Sequence, residues 1–287
     1  MEDEFAKKKP ASTRGTLQCF WKEEKPQFVF SNEETKFTAT MCKSSSSNDY
    51  DYIFKEQRKH DEIVAGKMTV SSSFSSCSDN CSVIEREFAL ISYGALANHK
   101  SPTKRRTGSR FCGSVTIPHH WFADEETGSS SNHEAVAIVA RDHVYTGIDG
   151  GWGMKFLTKF SEQKCLGGQT VEVILPAGPH GGPTSGPGSV GLVERWKSGG
   201  LCDCGGWDLG CPLTIYSDTP INKSSTVLRL STQGSEKCGS AMAVQKVGDG
   251  LYNVIYGPKF SGLQAFSVVV AHIHAQGRLP RPIIYRT

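Results

Sequence analysis

The densest cluster of chemically capable residues is Cys202-Asp203-Cys204, followed by Cys211. Thiolates are soft ligands, and zinc takes four thiolate or imidazole donors in a tetrahedron. Cys238, Cys165 or His180 would complete the set. The Cys-x-Cys pair is tighter than the usual spacing of zinc-binding cysteines. The alternative is a tight turn at Gly205-Gly206, with Trp207 in a core and the cysteines acting as small buried hydrophobes. Cys202, Cys204, Cys211 and Cys238 form the candidate metal set, and zinc is the one cofactor they admit. Cys77-x-x-x-Cys81 lies in a Ser-rich stretch where nothing nearby would lower a thiol pKa.

Other chemistry finds less support. The glycine-rich stretch 178–191 invites a phosphate-loop reading with Lys197-Ser198. Trp196 stands where that motif needs Gly, and Lys197 falls at a helix C-terminus rather than an N-terminus. Ser189 follows Pro187-Gly188, so a Gly-x-Ser-x-Gly elbow is incomplete. His119-His120 adjoin within a stretch that reads as a loop. His272 and His274 diverge around a helix and read as neutral, hydrogen-bonded core residues. With no catalytic constellation, a non-enzymatic role is the expectation.

Charge is informative only locally. The chain has 32 Lys+Arg against 29 Asp+Glu, a formal +3 over 287 residues, too little to point to nucleic acid. Yet the stretch 94–123 holds Lys100, Lys104, Arg105, Arg106 and Arg110 with no acidic residue. Lys259, Arg278, Arg281 and Arg286 follow Asp249 with none either. Such clusters bind anionic lipid at about 1 kcal/mol per basic residue. Lys104-Arg105-Arg106 behind Ser101-Pro102 also fits a nuclear address under phosphorylation control, and a solvated loop is the plain alternative.

These residues need a frame. Apolar residues make up 37% and charged residues 21% of the chain, lean for a compact domain and too apolar for disorder. About eleven alternating or β-branched stretches bounded by Gly, Ser, Asn and Asp read as strands, at 27–31, 36–42, 51–55, 62–70, 83–93, 135–140, 170–175, 213–217, 226–231, 241–247 and 252–256. Residues 36–41 and 171–175 alternate most cleanly, so an antiparallel all-β framework follows. Residues 44–49, 71–82, 95–132 and 176–189 are Ser/Gly/Pro-rich and read as loops. Residues 1–25 read as a flexible segment, 26–277 as one domain, and 278–287 as a basic tail.

Two segments break the β pattern. Residues 189–198 fit a short helix carrying Val190, Leu192, Val193 and Trp196 on roughly one side, with Ser189 as its cap. Ser261-Gly262-Leu263-Gln264 has the form of a capping box; an apolar run to Ala275 follows, and Gly277 with Pro280 ends it. That helix is apolar nearly all round, with Leu263, Phe266, Val269, Val270 and Ile273 as its core, so it must be buried within protein. It also stops well short of the ~20 residues that would span a bilayer. About eleven to twelve strands close into a barrel too wide for its own side chains to fill, and such a helix would fill it.

Two resemblances agree with this frame. The run 192–200, Leu-Val-Glu-Arg-Trp-Lys-Ser-Gly-Gly, continues as Cys202-Asp203-Cys204-Gly205-Gly206-Trp207-Asp208-Leu209-Gly210-Cys211-Pro212-Leu213. It resembles an uncharacterised plant family, a domain of unknown function, as does the ending from Asp249-Gly250-Leu251-Tyr252 to Gln264-Ala265-Phe266-Ser267. The likeness spans 26–276. More distantly, Phe260-Ser261-Gly262-Leu263-Gln264-Ala265-Phe266-Ser267-Val268 resembles the closing motif of the tubby C-terminal domain. That resemblance implies a closed barrel threaded by a hydrophobic helix, and phosphoinositide binding at the plasma membrane. The chain departs from that family at Ala271-His272-Ile273-His274, and the family's lipid-binding basic residues find no match here. Fold transfers more readily than function.

The expected protein is a mainly β, tubby-like closed antiparallel barrel around a C-terminal helix, acting as a binding or scaffolding module. Its expected partner is anionic phospholipid, met by the loop from Lys100 to Arg110, or else another protein. The alternative is a nuclear interaction module with a zinc-stabilised cysteine knob. The charged start of the chain lacks a secretory core, so an intracellular place at cytoplasm, membrane periphery or nucleus is expected, with the cysteines reduced.

Overall fold

The computed structural model describes residues 12–23, 25–43, 50–59, 61–78, 81–93, 133–145, 169–177, 191–199, 213–218, 226–233 and 240–277. Twelve strands run β1 (Thr13–Lys22), β2 (Lys25–Asn32), β3 (Lys36–Lys43), β4 (Tyr50–Gln57), β5 (Glu62–Ser78), β6 (Cys81–Ser92), β7 (His133–Tyr145), β8 (Gln169–Pro176), β9 (Leu213–Asp218), β10 (Thr226–Thr232), β11 (Met242–Gly248) and β12 (Leu251–Tyr256). Two helices complete the chain, α1 (Leu192–Lys197) and α2 (Gly262–Ala275). Each strand pairs antiparallel with its neighbours in sequence, and β12 pairs with β1, so the sheet closes into a barrel.

The closing strand was not expected. Residues 1–25 were read as flexible, yet Thr13–Lys22 forms β1, whose Leu17 faces Tyr252 on β12 and Phe30 on β2. The period-2 pattern is present, with Leu17 and Cys19 buried between exposed Thr16 and Gln18. The neighbouring charged residues obscured it. Residues 71–82 differ too. In place of a loop, β5 runs to Ser78 and β6 starts at Cys81, a long hairpin held by Ser72↔Arg86, Phe74↔Ile84 and Ser76↔Ser82. Serine is a weak strand former, and the ladder to the apolar strand β6 supplies what the local sequence lacks.

α2 lies inside the barrel. Leu263, Phe266, Val269, Val270 and Ile273 are buried, as are Ala265, Val268 and Ala271 on its other sides. Phe266 stacks on Phe30 at 5.5 Å and meets Phe54 edge-on at 5.1 Å. The capping box forms: Gln264 N–H donates to Ser261 Oγ at 3.2 Å and Ser261 N–H to Gln264 Oε1 at 2.8 Å. Gln264 Nε2 also donates to the Ala135 carbonyl at 2.8 Å, tying the cap to β7. Its β-branched residues disfavour helix intrinsically, so enclosure by the barrel stabilises it.

β7 reads Ala135-Val136-Ala137-Ile138-Val139-Ala140, apolar without alternation, and all six residues are buried. Its inward face meets the core, while Ala137 and Val139 on its outward face pack with Ile174 of β8 beneath Leu192, Val193 and Trp196 of α1. α1 is therefore a strap on the outer wall. It covers fewer residues than the expected 189–198, and Gly199 follows it with φ +76°.

Candidate functional site

Because α2 fills the interior, the polar groups that meet there pack against it. Three constellations are resolved, one inside and two outside.

Inside, at the C-terminal end of α2, the Tyr52 hydroxyl lies 2.8 Å from His274 Nδ1. Tyr50, Tyr52 and Phe88 present ring edges to the imidazole at 5.5–6.1 Å. Burial, reinforced by the charge of Arg86, pushes the imidazole down to about 4. Burial pushes the Tyr52 phenol up, with Cys19 and Tyr50 adding to it. Both groups stay neutral at pH 7, so they share one hydrogen bond whose direction is set by the imidazole tautomer. Cys19 is buried and its thiol is pushed up to about 12, opposite to what a nucleophilic thiolate needs. Arg86 reaches the Ala275 carbonyl at 3.4 Å, setting a positive charge at the negative end of the helix dipole. This cluster holds the helix end in place.

On one side of the outer wall, α1 is fastened by charge. Its N-cap, Gly191, offers no side chain, and Glu134 of β7 takes that role: Leu192 N–H donates to Glu134 Oε2 at 2.8 Å. Burial pushes this carboxyl up, against the opposing pull of the Leu192 N–H and Arg195. Arg141 of β7 bridges Glu85 and Glu172, both at 2.7 Å, under the ring of Trp196 at 5.3 Å. Lys197 bridges Glu85 and Glu87. Every charge in this network has its partner, so it works as a fastening.

On the opposite side of the wall, no described element covers the strands. An open groove of about 640 Å³ runs over β2, β1, β12 and β11, lined by Arg14, Thr16, Ser31, Glu33, Gln245 and Asn253, with Ile255 as an apolar neighbour on the same outward face. Its polar floor is one cross-strand row: Ser31 pairs with Thr16, Thr16 with Asn253, and Asn253 with Gln245. Among the described residues, Arg14 has no carboxylate within ion-pairing distance. Asn32 is already engaged, accepting from the Thr35 N–H at 2.7 Å and donating to the Tyr256 hydroxyl at 2.9 Å, and so stiffens one end of the groove.

A family model described as a domain of unknown function, DUF3527, matches residues 10–116 and 121–276. The chain belongs to the DUF3527 family. That match starts ahead of β1 and ends at the close of α2, so it takes in every strand of the DUF3527 barrel. No curated protein matches the chain.

Of the expected site residues in this DUF3527 chain, Leu263, Phe266, Val269, Val270 and Ile273 are placed, all buried in α2. Lys100, Lys104, Arg105, Arg106 and Arg110 lie outside the described residues, as do Cys202, Cys204, Cys211 and Cys238. Among the described residues, no group of three or more His, Cys, Asp or Glu converges as a metal site. His274 takes a hydrogen-bonded place in the core, as expected of it. Sequence reading missed the groove. Its residues sit at positions 14–16, 31–33, 245 and 253–255, and only the barrel's closure at β1 and β12 brings them together.

Proposed function

We propose that the chain is a non-enzymatic binding module that engages anionic phospholipid headgroups from the outside of its barrel. The observation that carries this reading is a filled interior beside a bare polar groove with a cation at its edge. A phosphorylated polyol presents anionic oxygens and hydroxyls. Arg14 offers a planar fork of donors to a phosphate. Thr16, Ser31, Asn253 and Gln245 offer donors and acceptors to a ring of hydroxyls, and Glu33 accepts from hydroxyls at the rim. The basic stretch from Lys100 to Arg110 adds non-specific attraction to the same anionic surface. The likeness of residues 260–268 to the tubby closing motif supports both the barrel and this class of ligand.

The test is sedimentation with liposomes. Wild type is expected to pellet with vesicles containing about 5% phosphoinositide and to stay in solution with neutral phosphatidylcholine vesicles. Arg14→Ala is expected to weaken the phosphoinositide-dependent part about tenfold, the usual cost of one charge-assisted contact. Changing Lys104, Arg105 and Arg106 to Ala is expected to lower binding to all anionic vesicles alike. Equal recovery with anionic and neutral vesicles would remove the proposal.

A further inference from the structure

A closed barrel loses its strand edges where neighbours pair, but an edge reappears wherever one strand outruns its neighbour, and among the described residues the longest such overhang is on β5. β4 begins at Tyr50, opposite Val70. β5 continues beyond that point to Ser78, paired with β6 on one side only. Over Ser71–Ser75 no described strand lies on the other side, and Ser71 to Ser76 are all exposed. Such an edge presents unpaired backbone donors and acceptors, and proteins normally blunt it with Lys, Pro or a bulge. Here Ser71-Ser72-Ser73-Phe74-Ser75 has no charge and no proline, and Phe74 is 72% exposed, the most exposed large hydrophobic residue described.

The pattern also indicates what would pair with it. Ser72-Ser73-Phe74-Ser75-Ser76 reads the same in both directions about Phe74. An antiparallel pair made across a two-fold axis sets residue i against j and j against i, so a strand centred on one residue must complement its own reverse. A palindrome meets that condition over its whole length.

We propose that the β5 edge pairs with the β5 edge of a second copy of this chain, antiparallel, with Phe74 facing its counterpart on the two-fold axis. Each Phe74 already faces Ile84 of β6, so the joined sheet carries a continuous apolar row, Ile84-Phe74-Phe74-Ile84. Ser73 falls opposite the partner copy's Ser75, a small polar pair that hydrogen-bonds across strands. No like charges face each other over this span. An edge of this length buries less than a standard interface, so the dimer is weak and forms as concentration rises.

Sedimentation equilibrium with the full chain tests this. The mass average should climb from the 31.3 kDa monomer towards twice that value as concentration rises from about 5 to about 500 μM, the range of a small interface. Phe74→Lys and Phe74→Glu should each remain monomeric, because each sets like charges against each other on the axis. An equimolar mixture of the two should associate again, at least tenfold more tightly than either alone. Hydrogen exchange at Ser71–Ser75 should slow with concentration in wild type and not in Phe74→Lys, and wild-type protection of α2 in that variant shows that it is folded. A wild type that stays monomeric to about 500 μM overturns the proposal, including the case in which an extended peptide from another protein takes the edge. So does association that either charged variant retains alone, or a mixture that fails to recover it.

Discussion

Replacing Phe266 with Ala tests whether the helix inside the barrel holds the fold together. The ring is fully buried and makes three aromatic contacts, stacked on Phe30 at 5.5 Å and on Phe37 at 6.4 Å and edge-on to Phe54 at 5.1 Å. Truncating a buried Phe to Ala costs about 3–5 kcal/mol in transfer and cavity terms. Each lost aromatic pair adds about 0.5–1.5 kcal/mol beyond burial, and partial relaxation of Phe30 and Phe54 into the space recovers some of this. The expected loss is about 4–6 kcal/mol, comparable with the whole stability of an ordinary domain. Urea unfolding followed by tryptophan fluorescence reads it directly. With m of about 2–3 kcal/mol/M, the midpoint should fall by more than 1 M. Phe266→Leu keeps most of the volume and should lose only about 1–2 kcal/mol. Phe266→Asp should not fold, because it places an unpaired carboxylate where no water or cation can reach it. A soluble Phe266→Asp protein that melts cooperatively, or a Phe266→Ala midpoint within about 0.3 M of wild type, would refute an enclosed helix.

Two further outcomes follow from the geometry. His274 is held neutral with a pKa near 4, against about 6.5 when unfolded, so the unfolded chain binds the extra proton between those values. Its contribution is present above pH 6.5 and is lost as pH falls towards 4. Between pH 7 and 4.5 wild type should lose about 2–3 kcal/mol that His274→Gln does not, and parallel urea midpoints for the two proteins would contradict this. Gly250 and Gly277 share a positive φ, +65° and +60°, but a Cβ at Gly250 would sit 2.2 Å from the Cys19 carbonyl oxygen, whereas one at Gly277 meets nothing within 4 Å. Gly277→Ala should cost about 1 kcal/mol of backbone strain; Gly250→Ala should cost at least about 1 kcal/mol more, because it also displaces the Cys19 N–H donated to the Gly250 carbonyl. Equal melting shifts for the two variants would show that the clash is relieved freely.

Elements with a strong local period were legible from sequence. Alternation gave strands at 36–41 and 171–175, although the outward face of the second is also buried at Ile174 because the short helix covers it, and the Ser261 and Gln264 capping box with an all-round apolar run gave a buried helix. What escaped was set by pairing at a distance. β1 alternates well, but it sits beside a charged segment and proves itself only by filling the seam between β2 and β12. The Ser-rich end of β5 carries no strand signal of its own and is ordered by β6. The groove was illegible for a stricter reason: Thr16, Ser31, Asn253 and Gln245 become one row only through three separate strand registers.

The contrast between the two sides of each strand bears on where this fold can carry function. Inward positions are committed to α2, and a change there is read first as stability, as at Phe266. Outward positions differ around the barrel. β7 and β8 lie under a strap fastened through Glu134, Arg141 and Lys197, while among the described residues β2, β1, β12 and β11 expose a polar row beside a cation without a carboxylate partner, and β5 overhangs with no strand on one side. A substitution on the strap disturbs a fastening, since Glu134 caps α1 and Arg141 is bridged on both sides. A substitution at Arg14 breaks no ion pair among the described residues, and one at the largely exposed Phe74 gives up only its cross-strand pair with Ile84. Loss of binding at Arg14 or of self-association at Phe74, with unchanged melting, would therefore report on recognition, and the same loss at Arg141 would not.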